Sequence, residues 1–546
     1  MDNTRLFLWL ALLAMLWLNY DAWLRDRAPA QTSRIPPAAE VDRANDDVPD
    51  IGAPSVDAPA SAPPAAESRA PAMPIRVRTD VLDVVIDTEG GDLVRADLLE
   101  YPVDKHRPDV LVRLLDYEPA NLWVFQTGLS TAGRSDGPTH QAMWRAASSS
   151  YELAPGQDEL VVTLEWVGND GIDARKVYTF RRGRYDIDLD IVLENHAGEP
   201  WRGAPYARIQ RLHNPLERSI TSVDSYSFTG PVLYDGNSAE KIDVDDLRRA
   251  PIEYTATGGW LAGIQHHFLA AAVPPADTPF RLNAAVSGSR YVLTALPESS
   301  QQVAPGAQQA FGFTLFVGPK LQDQLRETAD GLVLTVDYGV LTILAQPLFW
   351  ILSKIHDLVG NWGWAIVIVT LLIKLAFYKL TETSGRSMAK MRKIAPRLKA
   401  LQERYKDDRQ ALSRAMMELY RTEKINPAAG CLPILVQMPF FFAFYWVLIE
   451  SVEMRQAPFM LWIDDLSSRD PYFVLPLLMG AAMFLQTRLN PAPPDPVQAR
   501  VMQIMPIVFT VFFALFPSGL VLYWLTNTLV SIAQQWRINK IVARQG

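Results

Sequence analysis

The sequence predicts a multi-domain membrane protein. It has six transmembrane α-helices (a five-helix core plus an N-terminal anchor), a large antiparallel β-sandwich outside the cytoplasm, and a cytoplasmic helical hairpin. Three observations carry this prediction. Long apolar runs recur between Gly360 and Gln535 at lengths that suit bilayer-crossing helices. Residues 75–318 instead alternate apolar and polar side chains with period two, the signature of half-buried strands. Residues 381–426, between the first two core spans, are the most basic part of the chain, which marks the cytoplasmic side.

The 546 residues are 49% hydrophobic and 21% charged with a formal net charge of −8, a length that suits several domains. A single cysteine, Cys431, excludes an internal disulfide framework. No basic patch interleaved with aromatics lies outside one membrane-adjacent loop, so no nucleic acid binding is expected. No G-x-x-x-x-G-K-[ST] run is present, so nothing supports ATP use. No cofactor and no metal site are expected.

In chain order, residues 1–27 hold an apolar run (6–18) followed by Trp23 and Arg25. Its nearest small-x-small cleavage site is late and interrupted by Pro29, so it reads as an uncleaved anchor. Residues 28–74 are rich in Pro, Ala, Ser and Asp. They lack the apolar surface needed to offset ordering entropy, and form a disordered tether. Residues 75–320 form the sandwich, with strand candidates at 81–86, 160–166, 185–193, 291–296 and 311–317, and turns at Gly90-Gly91, Gly183, Gly236 and Gly258-Gly259. His266 and His267 fall in a possible strand there. Adjacent strand residues point to opposite faces, so the pair does not suit one metal.

Residues 321–359 read as an interfacial amphipathic helix, with Leu341, Leu344, Leu348, Ile351, Leu352 and Ile355 on one face and a stop or kink expected at Pro347. The first core span follows at 360–380. The basic hairpin at 381–426 carries Lys390, Arg392, Lys393 and Arg397, with one apolar stripe through Met391, Leu398 and Leu401 and another through Leu412, Ala415, Met416 and Leu419. Residues 427–546 hold four further spans (432–449, 472–487, 502–516 and 520–535) and a basic tail. Alternation across the bilayer then places both termini in the cytoplasm and the β-domain outside.

One cation, Lys374, sits inside the first core span and shares a helix face with Thr370 and Tyr378. A charge at that depth costs several kcal/mol unless it faces protein or trapped water; snorkelling to the cytoplasmic end is the plainer alternative. The last span carries a polar stripe of Trp524, Asn527 or Thr528, Ser531 and Gln535, and Gln437 adds a polar group to another. Together they suggest a hydrated cavity among the core helices. The spans lack the carboxylates or histidines of a proton relay at depth, and an obvious pair of broken halves for ion-coupled transport. A lone cation in a wet groove suits transient attraction of polar segments of another polypeptide, with hydrophobic burial as the driving force. A solute transporter with an external binding domain, and a membrane-anchored carbohydrate enzyme, are the alternatives.

The runs Ser387-Met-Ala-Lys-Met-Arg392, Asn426-Pro427, Gly430-Cys-Leu-Pro433, Gln437-Met-Pro439, Arg455-Gln-Ala-Pro458, Leu475-Pro-Leu-Leu-Met-Gly480 and Phe516-Pro-Ser-Gly-Leu-Val-Leu-Tyr523 resemble the YidC/Oxa/Alb family. Val81-Leu-Asp-Val-Val-Ile-Asp87 and Glu89-Gly-Gly-Asp92 resemble the periplasmic domain of its Gram-negative YidC branch. The resemblance implies a non-enzymatic membrane protein insertase and chaperone of the bacterial inner membrane. Its implied partners are nascent membrane proteins, membrane lipids, the Sec translocon (SecYEG, SecDF) and the ribosome. It also implies a periplasmic supersandwich related to sugar-binding folds, with residues 28–359 periplasmic or at the periplasmic surface, and a groove open to cytoplasm and lipid. Lys374 stands where the family usually has arginine, and Trp524 where it usually has tyrosine. Thr370 and Trp524 match positions that face the passing substrate, and the basic hairpin matches the region that receives it.

Overall fold

The computed structural model describes residues 73–134, 136–214, 227–405, 408–423, 432–489 and 496–544. The expected anchor, most of the expected linker and the tip of the expected hairpin lie outside the described residues.

The alternating segments become strands whose inward residues form the core. Leu82–Asp87 and Ile172–Arg181 bury every second residue, and Ile187, Leu189, Ile191 and Leu193 of Asp186–Asn195 are all fully buried. A nine-stranded sheet runs in the order Ala239–Lys241, Thr229–Tyr234, Trp260–Gln265, Phe268–Val273, Gln308–Pro319, Asp186–Asn195, Ile172–Arg181, Glu159–Val167 and Arg145–Ala146. A six-stranded sheet centred on Trp201–Leu212 and a five-stranded sheet running from Arg107–Leu115 to Ser150–Glu152 complete the β-rich domain. Pairing is antiparallel apart from Pro74–Arg78 beside Ser150–Glu152.

One inward position carries a charge. Lys176 is fully buried, and its Nζ donates to Gly90 O (2.5 Å), Thr127 O (2.9 Å), Thr127 Oγ1 (2.7 Å) and Asp92 Oδ1 (3.2 Å). Gly90 and Gly91 take positive φ (82° and 60°), which turns their carbonyls toward the ammonium at little steric cost. Burial pushes the Asp92 carboxyl up to about 6, against the pull of Lys176.

Nine helices of seven or more residues follow among the described residues: α1 (Gln322–Thr328), α2 (Thr342–Val359), α3 (Trp362–Ala376), α4 (Tyr378–Arg404), α5 (Arg409–Thr422), α6 (Leu432–Glu450), α7 (Val474–Leu489), α8 (Pro496–Phe513) and α9 (Ser518–Arg544). The amphipathic segment expected as one helix over 321–359 is divided. Gly331 (φ 72°) and Gly339 (φ 60°) adopt left-handed backbone that stops helical propagation, leaving two 3-10 turns between α1 and α2. Pro347 neither ends nor starts α2; the helix continues through it to Val359. Pro347 lies in the second turn, where α2 forgoes the hydrogen bond that an N–H at that position would make to Ile343 O.

The span expected over 360–380 also differs. α3 stops at Ala376, and α4 departs at 66° with only Phe377 between them. The hairpin's first helix therefore begins at Tyr378, and no proline or glycine marks the bend. Gly339–Val359 is long and apolar enough to cross a bilayer, as is the bent α3–α4 pair taken as one; Leu435–Glu450, Val474–Leu489 and Arg500–Phe513 are apolar but shorter.

The helices meet the β-domain through the segment after α6. His266 and His267 are not strand residues. They form the turn between Trp260–Gln265 and Phe268–Val273, with His266 at φ 25°. Their rings stack at 3.6 Å, and both Nε2 atoms donate to Ile449 O (3.0 and 2.8 Å). The two imidazoles thus cap an otherwise orphaned carbonyl at the C-terminus of α6, rather than facing apart.

Candidate functional site

α3 places Lys374 in its last turn, where the side chain is 3% exposed. The ammonium donates to Gln437 Oε1 on α6 (3.2 Å) and to Ser531 Oγ on α9 (2.7 Å). Ser531 Oγ in turn donates to Asn527 O, one turn earlier on its own helix (2.7 Å). One cation therefore ties three apolar helices together at a buried point. Each polar group involved has a partner, as burial without water demands.

Above this polar layer lies an aromatic one. Phe441, one turn beyond Gln437 on α6, meets Trp524 edge-to-face at 4.9 Å, and Trp524 also packs on Phe513 of α8 at 5.3 Å. Tyr523 stacks on Phe444 at 4.7 Å. Trp524 is only half-buried, so part of its indole remains exposed. The bundle is tight elsewhere. A Cβ on Gly480 of α7 would collide with Thr510 Oγ1 of α8, and one on Gly363 of α3 would enter the Phe459 ring.

Lys374, Gln437, Ser531 and Asn527 come together, Asn527 through its carbonyl. Thr370 does not join them: it is 1% exposed and donates to Ile366 O of its own helix (2.7 Å). Phe441 was not foreseen, although its position four residues after Gln437 places it on the same helix face. In the hairpin, Ile394 and Leu398 of α4 pack with Met416 and Leu419 of α5. Lys390 and Lys393 are exposed, whereas Arg397 donates to Glu423 Oε1 across the hairpin (2.7 Å). The Arg392 side chain lies outside what is described. Among the described residues no group of three His, Cys, Asp or Glu could hold a metal ion.

A β-rich domain joined to a bundle of apolar helices, with Lys374 held among them, suits a membrane-embedded protein that carries a large domain outside the bilayer. The family profile described as 60Kd inner membrane protein matches residues 354–545, and the YidC periplasmic domain matches residues 74–351. The membrane protein insertase YidC of Thioalkalivibrio sulfidiphilus is 49% identical over the full length of both chains. That of Alkalilimnicola ehrlichii is 51% identical over 98% of this chain and 95% of its own, and that of Nitrosococcus oceani 46% over the whole of both. A solved structure described as an active YidC insertase aligns with 84% of this chain and 92% of its own at 21% identity, TM-score 0.39. The chain belongs to the YidC family.

Proposed function

We propose that the Lys374 cluster is the point at which this insertase receives its clients. The protein is a non-enzymatic membrane protein insertase of the inner membrane, and its β-rich domain is periplasmic. The carrying observation is a buried ammonium that joins α3, α6 and α9 through two neutral oxygens, with no carboxylate holding it among the described residues. Neutral partners can be exchanged for polar or acidic groups of an incoming chain without first separating an ion pair. The aromatic layer at Trp524 and Phe441 offers the client's apolar segment a surface next to the charge, and burial of that segment in lipid supplies the driving force.

In this reading Lys374, Gln437, Asn527, Ser531 and Trp524 line the client path, and Thr370 enters it only when α3 moves. Six spans, with residues 1–27 as the anchor and α3 and α6–α9 as the core, put both termini in the cytoplasm. The hairpin formed by α4 and α5 presents Lys390, Arg392, Lys393 and Arg397 to the client or the ribosome, and the Sec translocon is a partner for larger clients.

A photo-crosslinking residue at Trp524, with a second at Thr370, tests this against a single-span client stalled during synthesis. The expected result is crosslinking from Trp524 to the client's apolar segment, weakened by Lys374→Glu. Intact insertion without crosslinks from either position overturns it.

A further inference from the structure

The segment that continues α6 crosses to the β-domain through the half-buried Glu453, one of whose carboxylate oxygens is sealed from solvent. Glu453 Oε1 accepts the Gln322 backbone N–H at the start of α1 (3.1 Å). Its Oε2 is out of solvent's reach and has no hydrogen-bond partner. Around it, Gln322 Nε2 donates to Tyr338 Oη (2.7 Å), and Tyr338 Oη bonds Ser451 Oγ (3.1 Å). One turn back, Glu450 Oε1 accepts from Ser227 Oγ (2.8 Å), and the two histidines hold Ile449 O.

The charges facing Glu453 come from each packed element. Asp323 and Arg326 lie on α1, Tyr338 precedes α2, and Tyr101 lies on the strand Asp92–Asp104. Glu450 ends α6 and Arg455 lies over the Phe268 ring, while Lys320 faces Glu450 and His267 faces Lys320 and Arg455. Arg326, the cation acting on Glu453 from α1, is itself committed to Asp323 (2.7 Å) and Gln322 Oε1 (3.1 Å). A carboxylate oxygen sealed from solvent with no hydrogen-bond donor is costlier charged than protonated.

We propose that Glu453 is a proton-operated clamp: with its carboxyl protonated, the segment after α6 is docked on the β-domain, and loss of that proton weakens the docking. Burial pushes the carboxyl up to about 7 in the docked state, against the backbone N–H groups of Glu453 and Gln322, with Asp323 adding a smaller rise and Arg326 opposing it. Released into solvent, it returns to the ordinary glutamate value of about 4.3. The docked form therefore binds the extra proton between those values. Docking is strongest below the lower one, weakens by about tenfold per pH unit as pH rises toward 7, and levels off above it. Because the clamped segment continues α6 directly, pH on the β-domain side acts on the helix whose other half holds Gln437.

The test is amide hydrogen exchange of residues 321–323 and 452–456 in the full chain in lipid nanodiscs from pH 5 to 8.5, corrected for intrinsic rates. The expected result is protection falling by about tenfold per unit up to about pH 7 and level above, with Glu453→Gln flat throughout. Asp323→Asn, a change at an exposed side chain that leaves the carboxyl in place, shifts the wild-type midpoint to lower pH. Flat wild-type protection, a slope that survives in Glu453→Gln, or an unmoved midpoint in Asp323→Asn each overturns the clamp.

Discussion

Lys374 takes its character from what surrounds it rather than from its own chemistry. An ammonium on a helix end can snorkel, yet this one turns inward to Gln437 Oε1 and Ser531 Oγ and is nearly sealed from solvent. Lys374→Arg keeps the charge and can serve both oxygens through its fork; insertion of a small single-span client into vesicles is expected to continue. Lys374→Glu reverses the charge beside two acceptors and is expected to abolish it. Ser531→Ala removes one acceptor from a buried cation, a loss of about 1–3 kcal/mol in stability. Thermal denaturation in detergent checks this, and an unchanged midpoint would show that water replaces the hydroxyl. The sequence placed Lys374, Gln437 and Ser531 on three apolar segments and suggested a shared cavity. It did not reveal that Thr370 spends its hydroxyl on Ile366 O, because a threonine inside a helix reads the same whether it faces a groove or its own backbone.

At the scale of elements, helix contacts are set where side chains are missing. Gly480 lets α7 approach α8 at Thr510, so Gly480→Ala forces a collision expected to cost about 1–3 kcal/mol, the range for overpacking. Thr510→Ala in the same chain should recover most of it, giving a coupling that a double-mutant cycle measures. Additive losses would mean the two helices do not meet there. Periodicity found the helices themselves well, because a stripe at three and four is a local property of the chain. It missed the bend at Phe377, where no proline or glycine gives warning and the Phe377 ring packs edge-to-face on Phe440 of α6 at 5.4 Å. It also ran one helix across 321–359, where Gly331 and Gly339 adopt left-handed backbone that a hydrophobic stripe does not encode.

The whole molecule is joined by charged side chains that end on backbone carbonyls. Lys105 donates to Gln456 O (3.2 Å) and to Asp464 O, and Arg455 to Pro102 O (2.9 Å) and Val103 O (3.2 Å). Dipole contacts of this kind lack the long-range Coulomb term that salt screens between exposed charges. Exchange protection of residues 102–105 and 455–464 is therefore expected to change little between low and high salt at fixed pH, in contrast to the pH response at Glu453. A steep salt dependence would mean that exposed ion pairs hold the domains together.

The sequence by itself determined the division into a β-rich domain and a helical membrane region, because strand and helix periodicities and bilayer-length apolar runs are written in consecutive residues. It also determined the family, through several short runs spread over nearly the whole chain. Only the tertiary structure decided what the polar residues do. His266 and His267 became caps for α6 instead of opposed strand residues, Glu453 became a joint with one oxygen sealed from solvent, and Lys374 became a bridge among α3, α6 and α9. Each of these depends on partners between 63 and 183 residues away in the chain. The free energy of a buried polar group is fixed by those distant partners, and local pattern carries no record of them.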